Sequence, residues 1–472
     1  MNDNNKEKSD KAAKELREKL FYTKKNGYEG LGADEVVALS QYAEGYKKAL
    51  DSGKTEREFA EISVRLARVA GFSEYSASAP LKAGDRIYRI NRGRAVVLAV
   101  IGKNGGAGAQ ITAAHIDSPR IDLKPNPLYE DGELAMFKTH YYGGIRKYQW
   151  VAIPLELRGV LAKPDGETQK IEIGGGEDEP VFTITDLLPH LAKDQSIKPL
   201  SAAYTGENLN PLVASVPYAD EGNDRVRLTA MSILNESYGM TERDFLTAEL
   251  MLVPAGKARD VGLDRSMVGA YGQDDRVCAY TALTALLDTE GIPEKNLVCM
   301  LADKEEIGSD GVSGMQSAFF DAFMKDICEN LGGSLRTCYA GSLCLSADVS
   351  VAFDPNFPEV SEKKNNAILN GGIVIYKYSG AAGKSGTSDA TAETTAKVAG
   401  ILDRAGVLWQ TGELGKVDQG GGGTVAKYMA NRNIDTIDAG VAVLSMHSPF
   451  EVTSKLDIYM TYKAFAAFYK AE

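Results

Sequence analysis

The sequence has few histidines, a deficit of basic charge and no long apolar runs. Only four histidines occur in 472 residues, and 65 acidic residues against 53 basic ones give a net charge of −12. Proteins that bind nucleic acids or anionic membranes use basic patches, so the acid excess argues against both partners. The longest apolar runs, such as residues 95–101, are far shorter than the roughly 18 residues of a membrane span. We therefore expect no nucleic-acid partner and no membrane partner.

Cysteine is also scarce. The five cysteines lie between Cys278 and Cys344 and include no C-x-x-C pair. A disulfide framework or a zinc ribbon would show closely paired cysteines. The N-terminal segment is rich in charge and lacks the apolar core of a signal peptide. These features predict a cytoplasmic protein whose cysteines stay reduced.

The two ends of the chain carry α/β patterns. Helical patterns open the chain at residues 11–25, 33–50 and 56–70. The third begins with a capping box, in which Thr55 and Glu58 satisfy free amides. After residue 295, short apolar runs alternate with helical patterns at residues 315–330, 391–404, 425–431 and 455–469. This alternation predicts an α/β fold with a mixed sheet covered by helices.

The middle of the chain has a different pattern. From about residue 119 to residue 240, turn signals separate short alternating runs such as LELRGVLA and QKIEI, with one short helix predicted at residues 186–192. We interpret residues 119–241 as a β-rich domain. It would be inserted into an α/β domain formed by residues 1–118 and 242–472.

Candidate functional residues follow predicted strands. Acids or histidines end four of them: His115 and Asp117 after QITAA, Glu305 and Glu306 after NLVCMLA, Asp348 after SLCL, and His447 after GVAVLS. A further acid, Asp274, opens the helical pattern VCAYTALTALL. Because ligand groups in open α/β sheets gather at the carboxyl ends of strands, these positions favour a shared metal site.

Each of these residues also has a simpler interpretation. Asp274 or Asp275 could cap a helix, and Asp348 could begin a turn. Adjacent acids such as Glu305 and Glu306 are usually solvated, and a lone buried histidine is usually hydrogen-bonded in the core. Taken singly, these interpretations are favoured. Their coincidence at four strand ends favours the metal site.

The chemistry of zinc suits these residue types. Zinc binds imidazole nitrogen and carboxylate oxygen, and two metal ions about 3.5–4 Å apart need a bridging carboxylate. In the pair Glu305-Glu306, one carboxylate can bind metal while its neighbour acts as a base. In a strand, His115 and Asp117 share a face, so Asp117 can accept the second N–H of the imidazole.

Several motifs resemble those of one known family. AAHIDSP, GAYGQDDR, DKEEIGSDG, SADVS and SMHSPFEVTSKLDIYMTYKAF are similar, in this order, to motifs of the aspartyl aminopeptidase/aminopeptidase I family of dinuclear zinc metallopeptidases. The resemblance spans residues 85–468, and LYEDGELAMFKTHYYGGIRKYQW and GELGKVDQGGGGTVAKYMANR resemble its bacterial branch. It implies an α/β peptidase domain interrupted by a β-rich dimerisation domain.

The resemblance also implies a metal site with two zinc ions per subunit, for which cobalt or manganese are alternatives. His115 and Asp348 would hold one ion. Glu306 and His447 would hold the other, with Asp274 bridging the two.

Three further residues gain catalytic roles from the resemblance. Glu305 would take a proton from the attacking water and return it to the leaving amine, and Asp117 would orient His115. His190, in LLPHLAKD, matches a histidine that reaches a neighbouring subunit's active site and helps stabilise the oxyanion. The family forms tetrahedral dodecamers from dimers, so the same self-association is expected here, with peptides as substrates.

Two positions depart from the aspartyl branch. Val351 and Tyr376 stand where that branch has a histidine and a lysine that contact acidic substrate side chains. A neutral or broad preference is therefore as consistent with the sequence as an acidic one.

The sequence thus favours an aminopeptidase over two other functions. A catalytically idle, self-assembling scaffold of the same fold is the alternative, but all five ligand positions and the base are present. GAAGKSGTS suggests a phosphate loop with Lys384, yet Tyr378 occupies its first glycine position, which argues against a nucleotide site. The sequence contains neither H-E-x-x-H nor G-x-S-x-G.

Overall fold

A computed structural model describes residues 3–77 and 79–471, in which helices and strands alternate along most of the chain. The α-helices of this part are, in chain order, α1 (Asp3–Leu20), α2 (Ala33–Ser52), α3 (Glu56–Val69), α4 (Lys193–Ser196), α5 (Leu200–Ala203), α6 (Arg225–Tyr238), α7 (Gln273–Leu287), α8 (Phe319–Asn330), α9 (Leu335–Ala340), α10 (Ala392–Arg404), α11 (Ala426–Ala430) and α12 (Lys455–Lys470).

The strands form three sheets. In chain order they are β1 (Ser73–Glu74), β2 (Arg86–Asn91), β3 (Ala95–Val100), β4 (Ala109–His115), β5 (Arg120–Asp131), β6 (Leu134–Tyr142), β7 (Leu155–Ala162), β8 (Thr168–Ile173), β9 (Leu212–Ala214), β10 (Ala248–Pro254), β11 (Arg259–Val261), β12 (Met267–Ala270), β13 (Asn296–Ala302), β14 (Leu343–Ser346), β15 (Ser350–Val351), β16 (Ile373–Tyr376), β17 (Trp409–Thr411), β18 (Asp435–Gly440), β19 (Ala442–Leu444) and β20 (Glu451–Ser454).

The largest sheet has nine strands in the order β1-β2-β3-β13-β4-β14-β18-β16-β17. Its centre, from β13 through β4 and β14 to β18, is parallel, whereas β3 and β16 join it antiparallel. Val298 and Met300 of β13 pack on one face with Phe323 of α8, and Leu297 and Cys299 pack on the other face with α2, α3, α7 and α12. Burial on both faces explains why these strands are apolar throughout. The predicted mixed sheet covered by helices is confirmed.

Most predicted helices of the α/β part agree closely with the structure. The capping box before α3 is present, because Glu58 N donates to Thr55 Oγ1 at 3.2 Å and Thr55 N donates to Glu58 Oε2 at 3.1 Å. Helix α1 instead ends at Leu20, five residues before the predicted end. The following segment is not helical, and within it the Lys24 ammonium donates to the Asn366 carbonyl oxygen.

The second sheet has six antiparallel strands in the order β8-β7-β10-β5-β6-β9. Five of these strands lie within residues 119–241, in agreement with the β-rich pattern of the sequence. Strand β10 follows residue 241, so the sheet continues past the predicted end of the insert. The domain limits themselves remain a prediction.

Two helices of this region differ from expectation. Residues 186–188 have no regular secondary structure and residues 189–191 form a turn, so the predicted helix at residues 186–192 is absent, and the short helix α4 begins only at Lys193. Most of this segment is exposed, so no buried face stabilises a helix there. Helix α6 was not predicted. It buries the single stripe Val226, Ala230 and Leu234, which the surrounding turn-rich sequence obscures.

The third sheet has five strands in the order β11-β12-β20-β19-β15. Only Val441 separates β18 from β19, so the chain passes from the nine-stranded sheet into this smaller sheet within one residue. The run GVAVLS is therefore shared between two sheets rather than forming one strand. None of the helices described is long and apolar enough to cross a membrane.

Candidate metal and active site

The carboxyl ends of neighbouring parallel strands meet at one edge of the nine-stranded sheet. His115 is the last residue of β4 and lies level with the end of β13. Glu305 and Glu306 follow β13 in a short 3₁₀ turn, and Asp348 lies two residues beyond β14. The loop after β19 brings His447 to the same place. This histidine therefore comes from the five-stranded sheet and not from the large one.

Asp274 lies between the two histidines. Its Oδ1 is 3.1 Å from His115 Nε2, and its Oδ2 is 3.1 Å from His447 Nε2. Asp348 Oδ1 is 3.9 Å from His115 Nε2, and Glu306 Oε2 is 3.6 Å from His447 Nε2. Two groups of potential ligands thus share Asp274, and within each group the ligand atoms lie within 4.8 Å of one another. The structure brings together all five residues predicted as metal ligands.

The second nitrogen of each imidazole faces an acceptor. His115 Nδ1 is 3.1 Å from the carbonyl oxygen of Asp117 and 3.3 Å from its carboxylate Oδ1. His447 Nδ1 is 2.9 Å from the carbonyl oxygen of Gly144. A Cβ at Gly144 would lie 3.3 Å from this Nδ1, so glycine permits the close approach. Acceptors at Nδ1 leave each Nε2 available as a ligand atom.

The Asp117 carboxylate is held from several directions. Its Oδ2 accepts a 2.8 Å hydrogen bond from the Tyr142 hydroxyl. The backbone N–H groups of Glu305 and Glu306 donate to its two oxygens at 3.2 and 3.3 Å. The Arg120 guanidinium lies over the Tyr142 ring, 3.8 Å from its centroid. Asp117 thereby connects the end of β4 to the loop after β13 and to the six-stranded sheet.

Glu451, the first residue of β20, holds two segments of the site. Its carboxylate accepts hydrogen bonds from the backbone N–H groups of Gln273, Asp274 and His447, at 2.6, 3.1 and 2.8 Å. His447 has a φ of +64°, which is uncommon for a residue with a side chain, so this support is required. Glu451 and Tyr142 were not predicted as site residues. The signal in the sequence that could have identified them is a carboxyl or hydroxyl group within an otherwise buried segment.

Negative charge is concentrated in the cluster. Burial, followed by the charge of Asp274, raises the pKa of Glu306 well above its ordinary value. Burial disfavours the charged form of His447, but the hydrogen bond with Asp274 and the charge of Glu306 outweigh it and raise the His447 pKa to about 10. Glu306 Oε1 is buried without a hydrogen-bond partner among the described residues. Such crowded acids are stabilised by a bound cation.

A cleft of about 510 Å³ opens onto the cluster. Five of the predicted residues line it: Asp274, Glu305, Glu306, Asp348 and His447. Burial raises the pKa of Glu305 to about 7. A carboxyl group that titrates near neutrality is suited to accepting and returning a proton. The apolar side chains lining the cleft include Val349, Leu414 and Met446.

The two remaining histidines lie outside the cluster. His190 is exposed in a turn of residues 189–191, and the described lining of the cleft does not include it. His140 is also exposed, and its Nδ1 lies 2.8 Å from the carbonyl oxygen of Tyr141. The structure of one chain thus does not bring His190 to the other predicted site residues.

Two glycine-rich segments lie near the cleft. Lys384 Nζ forms an ion pair with Asp389 Oδ1 at 3.1 Å. In the run of glycines at residues 420–423, a Cβ at Gly420 would lie 1.7 Å from the Leu414 carbonyl oxygen. This run therefore serves a close backbone approach, the role favoured for it by sequence.

The sequence is similar to those of known relatives over nearly its whole length. Residues 50–469 match the family described as aminopeptidase I zinc metalloprotease (M18). A probable M18 family aminopeptidase 1 of Clostridium acetobutylicum is 48% identical over 451 residues, which cover 93% of this chain and 96% of that protein. Its namesake from Thermotoga maritima is 44% identical over 447 residues, covering 94% and 98%.

Solved structures show the same fold. The crystal structure of an M18 family aminopeptidase from Thermotoga maritima has a TM-score of 0.92 at 42% identity, covering 96% of this chain and 100% of that one. The mApe1 dodecamer of S. cerevisiae shares the fold at 23% identity, with a TM-score of 0.73 over 91% and 96% of the two chains. Together with the sequence matches, these findings show that the chain belongs to the M18 family of aminopeptidase I zinc metalloproteases and is a metal-dependent aminopeptidase.

Proposed function

We propose that the chain removes the N-terminal residue of peptides at a site that holds two zinc ions per subunit. The main support is Asp274, whose two oxygens each lie 3.1 Å from an imidazole nitrogen. A carboxylate placed in this way can bridge two cations about 3.5–4 Å apart. In this proposal His115 and Asp348 hold one ion, and Glu306 and His447 hold the other.

The residues present fit zinc. Two imidazole nitrogens and three carboxylates form a donor set that zinc favours, and cobalt or manganese bind similar donors. The unpartnered, buried Glu306 Oε1 offers a further oxygen. When bound, zinc polarises a carbonyl oxygen and lowers the pKa of water.

Glu305 is the proposed general base. It lines the cleft, it is not needed as a ligand, and burial raises its pKa to about 7. It would accept a proton from the attacking water and then donate this proton to the leaving amine. The hydrogen bond from its backbone N–H to Asp117 Oδ1 positions it, and Asp117 also orients His115.

His190 is proposed to act at the active site of a neighbouring subunit. In its own chain it is exposed, and the exposed side chains of Leu187, Leu188 and Leu191 surround it in sequence. Clustered exposed apolar side chains are typical of a subunit interface. Dimers, and a tetrahedral dodecamer of dimers, would bury them and allow His190 to stabilise the oxyanion. The dodecamer of the yeast relative supports this proposal.

Two further assignments belong to the proposal. Residues 119–241 would form the dimerisation domain, and residues 1–118 and 242–472 the peptidase domain. All five cysteines are buried and free, which supports a reducing compartment such as the cytoplasm.

The variant Glu305→Gln tests the proposed base. Glutamine preserves the size of the side chain but cannot accept the proton, so we expect turnover of aminoacyl amides to fall about 10²- to 10⁴-fold. Elemental analysis should still give two zinc ions per subunit. Glu329→Gln, at an exposed position, is the matched control.

Three outcomes would contradict parts of the proposal. Wild-type turnover by the Glu305→Gln protein would reject Glu305 as the base. A single zinc ion per subunit in the wild-type protein would reject the dinuclear site. Two zinc ions without hydrolysis of any aminoacyl substrate would support the catalytically idle scaffold instead.

A further inference from the structure

The cleft contains a fifth acid, which the proposed metal site does not use. Asp438 of β18 lines the cleft, and only 1% of its surface is exposed. Its Oδ1 accepts a 2.8 Å hydrogen bond from Thr424 Oγ1. Its Oδ2 is buried and has no hydrogen-bond partner among the described residues. A buried carboxylate oxygen without a partner is costly, so a ligand that supplies a donor here would be bound favourably.

The strand register places Asp438 at a defined distance from the metal cluster. Asp438 pairs with Ser346 of β14 on one side and with Tyr376 of β16 on the other, so the three side chains share one face of the sheet. Asp348 lies two residues beyond Ser346. Asp348 lies outside β14, and its carbonyl oxygen lies against Gly440, two residues beyond Asp438. If the chain stays extended to Asp348, about 3.3 Å per residue and about 4.8 Å between strands would separate the Cα atoms of Asp438 and Asp348 by about 8 Å. A long side chain can span this distance.

The surroundings of Asp438 favour a cationic ligand. Burial raises the Asp438 pKa to about 6, with the Ser346 and Thr424 hydroxyls opposing the shift, so the carboxyl is largely ionised at neutral pH. Lys427 is the one lysine or arginine in the described lining of the cleft, and it is exposed with its ammonium 5.3 Å from the Tyr428 ring centroid. The Thr424 and Ser346 hydroxyls face the Asp438 carboxylate, but no lysine or arginine among the described residues forms an ion pair with it.

The apolar part of the cleft also suits a lysine or arginine side chain. Val349, Leu414 and Met446 line it together with Asp438. Apolar walls suit the methylene stem of a lysine or arginine side chain, whose charged end needs a carboxylate. A glutamate or aspartate at this place would instead meet a like charge.

We propose that Asp438 determines specificity for the first residue of the substrate, and that its carboxylate binds the side-chain ammonium or guanidinium of an N-terminal lysine or arginine. This inference rests on the proposed aminopeptidase function and names its substrate class. If Asp438 had a purely structural role and only held Thr424 and the neighbouring glycine run in place, its substitution would reduce activity equally for all substrates.

The test compares fluorogenic lysyl, norleucyl and glutamyl amides on the zinc-loaded, full-length protein. We expect kcat/KM for the lysyl amide to exceed that for the norleucyl amide by at least about tenfold, with the glutamyl amide lowest. In Asp438→Asn, Oδ1 can still accept from Thr424, but an NH₂ group replaces Oδ2. The lysyl kcat/KM should then fall about 30-fold while the norleucyl value stays within about threefold.

Thr424→Val is the matched control, because it removes the hydrogen bond to Oδ1 and keeps the carboxylate. It should preserve the preference for lysine. Inhibition of the wild-type protein by free L-lysine relative to L-norleucine gives a readout that needs no variant, and L-lysine should bind at least about tenfold more tightly.

Several results would overturn the inference. Equal kcat/KM values for lysyl and norleucyl amides in the wild-type protein would do so, as would an equal loss for both amides in Asp438→Asn. Collapse of the preference in Thr424→Val to the same extent would assign Asp438 a structural role. If the wild-type protein cleaves none of the amides, the proposed function fails; if it cleaves them without preferring lysine, only this inference fails.

Discussion

The two halves of the proposed metal cluster are built in different ways. His115 ends a central strand of the large sheet, and its side chain is 1% exposed. His447 lies in a loop after the five-stranded sheet, and its side chain is 35% exposed. The acceptor at His115 Nδ1 is Asp117, two residues away, whereas that at His447 Nδ1 is Gly144, 303 residues away. One half is local and buried, and the other joins distant segments at the cleft.

This difference leads us to expect unequal retention of the two metal ions. A ligand set buried at the end of a rigid strand loses its metal slowly, because both solvent and chelator reach it poorly. The open half depends on the relative position of two loops. The predictions below test whether the halves differ, in order of expected effect.

The largest effect should follow Asp274→Ala, which removes the one side chain common to both halves. We expect both zinc ions to be lost and kcat/KM to fall at least about 10³-fold, since the metal ions supply several kcal/mol of catalysis. Elemental analysis and an amide assay measure the two effects. Asp220→Ala, at an exposed position, is the control. One tightly held zinc ion in Asp274→Ala would show that the halves are independent.

The pair His447→Ala and His115→Ala separates the halves. We expect His447→Ala to retain one zinc ion per subunit, because the buried group of His115, Asp274 and Asp348 stays intact. In the wild-type protein, a chelator should remove one ion at least about ten times faster than the other. Stopped-flow chelation with a zinc indicator measures these rates. Loss of both zinc ions at the same rate would contradict the proposed difference between the two halves.

A smaller effect is expected for Tyr142→Phe, which removes the hydrogen bond to Asp117 Oδ2. Loss of a group that supports a metal ligand typically costs about 10- to 100-fold in metal affinity. The loss should be larger for the slowly exchanging ion, because Asp117 Oδ1 lies 3.3 Å from His115 Nδ1, whereas Asp117 reaches the other half only through the Glu306 backbone N–H. Competition with a zinc chelator measures it, and Tyr141→Phe, whose side chain is exposed, is the control. Equal weakening of both ions would contradict this assignment.

The smallest effect should come from Thr55→Ala, because the Thr55 hydroxyl accepts from the Glu58 backbone N–H within α3 and not from a residue of either half. It removes the side chain that caps α3 and should cost about 1 kcal/mol, lowering the thermal midpoint by about 1–2 °C. Zinc content and exchange rates should not change. A change in either would mean that the halves respond to general stability rather than to their own surroundings.

Much of the site could be predicted because its signals are local. His115, Glu305 and Asp348 each follow an apolar strand of a few residues, and such a strand is recognisable from sequence. Gly144, Glu451 and Asp438 could not be assigned in this way, because their roles depend on partners distant in the chain. The segment at residues 186–192 was wrongly predicted as a helix since helical propensity without a buried face is insufficient.

The sequence by itself determined the α/β architecture and the cluster of acids and histidines at strand ends, because strand and helix periodicity and the residues at strand ends are properties of short segments. The resemblance to a known family then selected the five candidate ligands and Glu305 as the candidate base. Only the tertiary structure decided which groups share the cleft. The order of strands brings Asp438 beside Ser346 and Tyr376, and the junction of three sheets brings Gly144 to His447. Such contacts join segments up to 303 residues apart, so no local pattern encodes them.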